Sequence, residues 1–101
     1  MIQHTVAFTL VHAPGSAEEG EFLRTARETL TAIGGVQDFR VSRQTSSKSA
    51  FTFQFSMVFA DQATYDAYDG DPRHVEFVQT RWIPEVAQFE ELDFVAYESA
   101  S

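Results

Sequence analysis

The sequence predicts an α+β domain whose elements follow the order β-α-β-β-α-β. Four stretches alternate bulky apolar residues with small or polar ones at period two, as half-buried strands do. Two other regions place apolar residues three and four positions apart, as amphipathic helices do. The links between these regions are short and contain glycine, proline or serine. We therefore expect one domain over residues 1–97, followed by a short tail at residues 98–101.

The composition is that of an acidic, globular chain. Hydrophobic residues make up 44% of the 101 positions, which is enough for a core. The net charge of −8, with seven lysines and arginines, argues against a nucleic acid or an anionic membrane as partner. The lack of cysteine excludes disulfides, a thiolate nucleophile and zinc–sulfur sites. No signal peptide or membrane-spanning run is evident, so we expect a soluble, cytoplasmic protein.

The first half of the chain is predicted to hold a strand, a helix and a second strand. The first strand covers residues 2–11, and its bulky face carries Ile2, His4, Val6, Phe8 and Leu10. In the turn that follows, His12 is expected to be solvated. An amphipathic helix over residues 17–33 ends at Gly34-Gly35, and residues 36–43 form the second strand.

The second half begins with a polar loop at residues 44–49. Residues 51–59 then show the cleanest alternation in the chain, since one face carries Phe51, Phe53, Phe55, Met57 and Phe59. A helical region follows from Asp61 to Pro84, and residues 89–97 are predicted to form the fourth strand. The order matches the ferredoxin-like arrangement, a four-stranded antiparallel sheet with helices on one face.

The face of the sheet opposite the phenylalanines is expected to lack helices. It holds mainly small or β-branched, uncharged residues, namely Thr5, Ala7, Thr9, Thr52, Gln54, Ser56 and Val58. Such a surface suits packing against a second sheet, so we expect a symmetric homodimer. The bulky face meets the helices instead. The space between them is a packed core unless something keeps it open.

The candidate catalytic residues lie at a corner inside the helical region. Gly70 ends one helix, and Asp71-Pro72 begins another, because an N-cap carboxylate followed by proline is typical of helix starts. His74 falls in the first turn, where the helix dipole favours a neutral ring that accepts a proton. Tyr68 ends the preceding helix. The corner is therefore predicted to bring a phenol and an imidazole to the mouth of one cavity, opposite His4.

Several segments resemble the stress-responsive dimeric α/β barrel domain family. They are the Ile2-Gln3-His4 start, Gly34-Gly35-Val36, and Tyr68 with residues 71–77, and the resemblance covers roughly residues 1–97. It implies a dimeric α/β barrel, in which two sheets face each other and each protomer keeps a cavity between its sheet and its helices. Within the family, the chain is similar to plant polyketide cyclases of the olivetolic acid cyclase type.

The likeness to these cyclases implies roles for particular residues. His74 would be the general base that removes a carbon-bound proton, Tyr68 would hold or polarise a substrate carbonyl, and His4 would assist. The family likeness also implies an apolar pocket lined by Val6, Phe8, Phe22 and Phe77. The expected function is a cofactor-independent cyclase, aldol-type lyase or isomerase that acts on a hydrophobic carbonyl compound.

Two other functions stay open at this point. One is a stress-response protein that binds a small apolar ligand without chemistry, and the other is a cofactorless monooxygenase. No cofactor or metal is expected, because no His-x-x-x-His pair and no glycine-rich phosphate loop occurs. A serine nucleophile has no Gly-x-Ser-x-Gly context either.

Overall fold

The computed structural model describes residues 1–97, and the tail predicted at residues 98–101 lies outside the described residues. The elements are β1 Ile2–Leu10, α1 Ala17–Thr31, β2 Gln37–Arg43, β3 Phe53–Phe59, α2 Gln62–Gly70, α3 Pro72–Phe77, a π-helical turn Val78–Trp82, α4 Ile83–Glu85 and β4 Val86–Phe94. This sequence of elements confirms the β-α-β-β-α-β prediction. Among residues 1–97, no helix combines the length and apolar character needed to cross a bilayer.

The four strands form one antiparallel sheet in the order β2-β3-β1-β4. Val6 of β1 lies opposite Phe55 of β3 on one side and Glu91 of β4 on the other. β4 begins and ends three residues before the predicted fourth strand. The reason is its partner: Gln3, near the start of β1, already pairs with Phe94, so no β1 residue remains to continue the ladder far beyond it.

Side-chain oxygens cap the helices where the sequence placed them. Ser16 accepts a hydrogen bond from the amide of Glu19 at 3.2 Å, which begins α1. Asp61 accepts from the amide of Thr64 at 2.8 Å to begin α2. Asp71 accepts from the amide of Arg73 at 2.8 Å, with Pro72 as the first residue of α3. The sharp corner between α2 and α3 is thus fixed by its own sequence.

The helix that starts at Pro72 widens before it ends. The amide of Ile83 donates to the carbonyl of Val78, five residues back, which is the bond of a π-helix. Pro84 follows directly; it has no amide hydrogen, and its ring crowds the carbonyl four residues earlier. The wider turn relieves this crowding. It also places Val78 and Trp82 above the sheet.

The inner face of the sheet and the helices enclose the core. Phe8 and Phe22 are fully buried, and the predicted bulky faces of β1 and β3 point inward as expected. The outer face carries no helix. Leu92 and Phe94 of β4 are each 49% exposed on it, which leaves an apolar surface uncovered in a single chain.

His12 differs from the sequence prediction, which placed it in solvent. Its Nε2 atom lies 2.7 Å from a carboxylate oxygen of Glu85. Glu85 also accepts a hydrogen bond from Arg81 at 2.5 Å, and Arg81 donates to Glu21 on α1 at 2.6 Å. His12 is drawn into this network because the end of the helical region runs directly beside the end of β1.

Candidate functional site

A cavity of about 430 Å³ lies between the inner face of the sheet and the helices. One end carries polar groups, namely His4, Tyr68, Asp69, His74 and Glu91. The rest of the wall is apolar and consists of Val6, Leu30, Phe55, Met57, Phe77, Val78, Trp82, Ile83 and Phe89. A space with one polar end and apolar walls is the usual form of a small-molecule site.

The structure brings five of the seven predicted site residues to this cavity. His4 and Val6 reach it from β1, Tyr68 from α2, and His74 and Phe77 from α3. The ring centroids of Tyr68 and His74 are 4.5 Å apart, and those of His4 and Tyr68 are 6.3 Å apart.

The other two predicted residues, Phe8 and Phe22, do not reach the cavity wall. They pack against each other, with ring centroids 6.2 Å apart, and both lie against Trp82. Trp82 stands between them and the cavity as one of its lining residues. A ligand contact for Phe8 or Phe22 stays a prediction.

His74 is held by the backbone of the corner. Its Nδ1 atom lies 3.1 Å from the carbonyl oxygen of Asp69. A carbonyl only accepts, so Nδ1 carries the hydrogen, and a neutral ring then has its lone pair on Nε2. Within residues 1–97, no protein group makes a hydrogen bond to Nε2. This nitrogen is therefore available to accept a proton from a ligand.

Tyr68 presents a neutral phenol. The residue is only 2% exposed, and its hydroxyl makes no hydrogen bond to another group in residues 1–97. Yet no enclosed polar side-chain atom in that part of the chain lacks a partner, so the hydroxyl opens onto accessible space. Burial raises the pKa of Tyr68 above its ordinary value, and the charges of Asp69 and Glu91 add to the effect. Tyr68 is thus a hydrogen-bond donor at neutral pH.

His4 sits in a closed hydrogen-bond network. Its Nδ1 atom lies 2.6 Å from Asp93 Oδ1 and 2.9 Å from the Tyr65 hydroxyl. The Tyr65 hydroxyl gives its one proton to Asp93 Oδ2 at 2.8 Å. Both neighbours of Nδ1 can then only accept, so Nδ1 carries a hydrogen. Nε2 remains on the side of Glu91, whose carboxylate is 3.7 Å away and lines the cavity.

Tyr65 owes its protonated state to the same contacts. Burial raises the pKa of its phenol, and the hydrogen bond to Asp93 raises it further. Tyr65 is therefore a donor to Asp93 at neutral pH, and Asp93 is held against His4.

The sequence analysis did not identify Tyr65, Asp69, Glu91, Asp93 or Trp82 as site residues. The sequence contains a signal for two of them. Glu91 and Asp93 follow Phe89 at intervals of two residues, so they share the inner face of β4 with it, opposite Val6 and His4. A carboxylate on the inner face of a strand needs a partner, and a histidine on the neighbouring strand is an obvious one. Tyr65, by contrast, is placed by the packing of α2.

Among residues 1–97, no group of three or more histidine, aspartate or glutamate side chains is arranged to hold a metal ion.

The family model of the Stress responsive A/B Barrel Domain, Dabb, matches residues 2–96. The chain belongs to the Dabb family. A Dabb family protein of Mesorhizobium loti with a ferredoxin-like fold is 52% identical, with a TM-score of 0.95, and the alignment covers 96% of this chain and 97% of that one. The resemblance read from the sequence is thus confirmed at the level of the family. The narrower likeness to polyketide cyclases stays a prediction.

More distant solved structures share the fold. The hydroxynitrile lyase of Passiflora edulis is 13% identical, with a TM-score of 0.80 and coverage of 97% of this chain and 94% of the lyase. The cofactor-independent oxygenase SnoaB of Streptomyces nogalater is 14% identical, with a TM-score of 0.73 and coverage of 98% and 95%. A dimeric ferredoxin-like protein of Thermobifida fusca is also 14% identical, with a TM-score of 0.73 and coverage of 94% and 90%. No curated protein matches the sequence.

Proposed function

We propose that this Dabb protein is a cofactor-independent enzyme, of the cyclase, aldol-type lyase or isomerase class, that acts on a hydrophobic carbonyl compound. One observation carries the proposal. The rings of His74 and Tyr68 lie 4.5 Å apart between centroids at the polar end of a largely apolar cavity, and within residues 1–97 neither His74 Nε2 nor the Tyr68 hydroxyl has a hydrogen-bond partner. A base beside a hydrogen-bond donor is what proton removal next to a carbonyl requires.

In the proposed step, His74 Nε2 removes a proton from the carbon next to the carbonyl. The electron pair moves to the carbonyl oxygen, which accepts a hydrogen bond from Tyr68. His74 becomes an imidazolium, whose Nδ1 hydrogen stays bonded to the carbonyl of Asp69. His74 can return the proton that it has taken to another atom of the substrate, and the Nε2 atom of His4, which is fixed by Asp93, supplies a second proton acceptor.

The apolar walls provide the binding energy in this proposal. Val6 and Phe77 contact the ligand, and Trp82 closes the cavity on the side of the packed core. Burial of apolar ligand surface contributes roughly 25 cal/mol per Å² before the cost of association is subtracted. A hydroxynitrile lyase and a cofactor-independent oxygenase share this fold, which supports the proposal because the fold can carry a catalytic site.

Deuterium exchange into a simple ketone tests the proposal without knowledge of the natural substrate. We expect the protein to accelerate loss of the methyl proton signal of para-butylacetophenone in D₂O. His74→Gln should reduce that rate by roughly 10²–10⁴-fold, the usual contribution of a general base. His12→Gln is the matched control, since His12 lies outside the cavity and should leave the rate unchanged.

The other outcomes of this assay identify the alternatives. If the ketone raises the melting temperature but exchanges no faster, the protein is a ligand-binding member of the family without this chemistry. Oxygen consumption with an electron-rich aromatic compound would identify a cofactorless monooxygenase instead. Full exchange activity in His74→Gln would sink the assignment of the base.

The same proposal includes a homodimer formed by the outer faces of two sheets. Support comes from the half-exposed Leu92 and Phe94 on that face and from the dimeric relative of Thermobifida fusca. Sedimentation at micromolar concentration should give twice the chain mass, and Leu92→Asp should shift the mass toward the monomer. A monomeric wild-type protein would refute this interface.

A further inference from the structure

The charges at the polar end of the cavity have one sign. Asp69 and Glu91 line the cavity directly, and Asp93 lies behind His4. The Glu91 side chain is 51% exposed and that of Asp93 is 41% exposed, so both carboxyl groups are in contact with solvent. In the part of the chain that the structure describes, no lysine or arginine lines the cavity.

The arginines nearest to this region have other partners. Arg73 bonds to Asp71 and to the carbonyl of Ala32 at the end of α1, at 3.0 Å each. Arg81 is held between Glu21 and Glu85. Within residues 1–97, neither of these arginines is therefore free to neutralise an anionic ligand in the cavity.

The two histidines do not replace the missing cation. The proton on His4 Nδ1 points to Asp93, and the proton on His74 Nδ1 points to the carbonyl of Asp69. With neutral rings, each Nε2 atom offers a lone pair, which repels an anionic oxygen. Among the lining side chains of the described residues, the donors that remain are neutral: the hydroxyl of Tyr68 at the polar end and the indole N–H of Trp82. One neutral donor suits a carbonyl oxygen, whereas a buried carboxylate needs a cation or several donors.

From this arrangement we infer that the cavity selects ligands whose polar head is uncharged or cationic and disfavours ligands whose head is a carboxylate or another anion. The inference rests on the proposed function, because it describes the substrate of the same cavity. It narrows that substrate to an uncharged carbonyl compound. The apolar part of the ligand lies toward Trp82 and Phe89, and the carbonyl oxygen lies at Tyr68.

Three probes of the same shape test the inference: para-butylbenzoate, para-butylbenzamide and para-butylbenzamidine. At pH near 8 they carry a negative, a zero and a positive charge. We expect calorimetry at about 20 mM salt to give the order amidine, amide, benzoate, with the benzoate about tenfold weaker than the amide. At about 500 mM salt the difference should shrink, because exposed carboxylates are screened.

A variant pair assigns the effect to the cavity. Glu91→Gln should strengthen binding of the benzoate and leave binding of the amide unchanged. Glu90→Gln removes the same charge from the neighbouring residue of β4, which faces the other side of the sheet, and should change neither.

The outcomes separate this inference from the proposed function. A benzoate that binds as tightly as the amide overturns the charge selection, while exchange of para-butylacetophenone would still stand as evidence for the enzyme. A Glu90→Gln variant that matches Glu91→Gln would assign the effect to net charge and overturn the role of the cavity. If none of the three probes binds, the charge selection fails, and the exchange assay with para-butylacetophenone decides the proposed function by itself.

Discussion

The two ends of the space between the sheet and the helices are packed differently, although the same strands form both. At one end Phe8, Phe22, Phe55 and Trp82 interlock, with ring centroids 4.6 to 6.3 Å apart, and fill the space. At the other end His4, Tyr68 and His74 face a cavity. His4 lies on the same face of β1 as Phe8, four residues earlier.

The difference lies in how the side chains are held. In the described part of the chain, the aromatic rings at the packed end make no hydrogen bonds that fix their position, so they adopt the arrangement that gives the closest packing. His74 is tied to the carbonyl of Asp69, and His4 is tied to Asp93 and Tyr65. To collapse into the cavity, either ring would have to break these hydrogen bonds and leave its polar partners unpaired. Polar tethers thus keep the space open.

The largest expected effect comes from truncating the packed end. Phe8→Ala should lower the free energy of unfolding by about 3–5 kcal/mol, because it leaves a large hole among fully buried rings. His74→Gln at the cavity end should cost less than about 1 kcal/mol, since that space is already open. Urea unfolding of both variants measures the contrast. Equal losses would mean that the two ends are packed alike.

A smaller effect, on proton placement, is expected from Asp93→Asn. The carboxamide nitrogen can donate to His4 Nδ1, so the hydrogen of the ring should move to Nε2. Nitrogen-15 chemical shifts of the imidazoles report this exchange of tautomers, with Glu90→Gln as control. We also expect deuterium exchange into para-butylacetophenone to slow by about tenfold, because His4 Nε2 would then carry a hydrogen and could no longer accept a proton. A wild-type His4 that already carries its hydrogen on Nε2 would contradict the proposed network.

The smallest expected effect is acid sensitivity at the packed end, where the Arg81 guanidinium lies over the ring of Phe22. The hydrogen bond from Arg81 lowers the pKa of Glu21 from 4.5 to about 2, and the same donor lowers the pKa of Glu85. A carboxyl group whose pKa is lower in the folded state contributes its full stabilisation at pH values above its pKa in the unfolded chain. That stabilisation is lost as pH falls from about 4.5 toward about 2.

Thermal melting across this pH window checks the network. The wild-type melting temperature should fall more steeply than that of the double variant Glu21→Gln, Glu85→Gln. Glu28→Gln, an exposed position on the same helix as Glu21, should follow the wild type. Equal slopes in all three proteins would show that the network adds nothing at neutral pH.

The comparison also shows what the sequence can predict. The alternation in β1 and β3 placed His4 and Phe8 on the inner face, and the Asp71-Pro72 start placed His74 at the corner, because these signals are local. The difference between a filled and an open end is not local. Phe8 and Phe22 were expected to line the pocket, but whether an inward ring meets a ligand depends on how Trp82 packs over it.

Long-range pairing explains the remaining differences. The fourth strand was predicted three residues too late, because its limits depend on where β1 offers partners. Asp93 reaches His4 only through that pairing, across 89 positions of sequence. Tyr65 joins them from α2. No spacing rule along the chain connects these three residues.

A crystal structure of the protein with para-butylacetophenone tests the central claim most directly. The account predicts the ketone in the cavity, with its oxygen within hydrogen-bond distance of the Tyr68 hydroxyl and its methyl carbon facing His74 Nε2. The butyl chain should lie along Trp82 and Phe89. A cavity filled by its own side chains, or a ketone bound elsewhere with its carbonyl away from Tyr68, would contradict it.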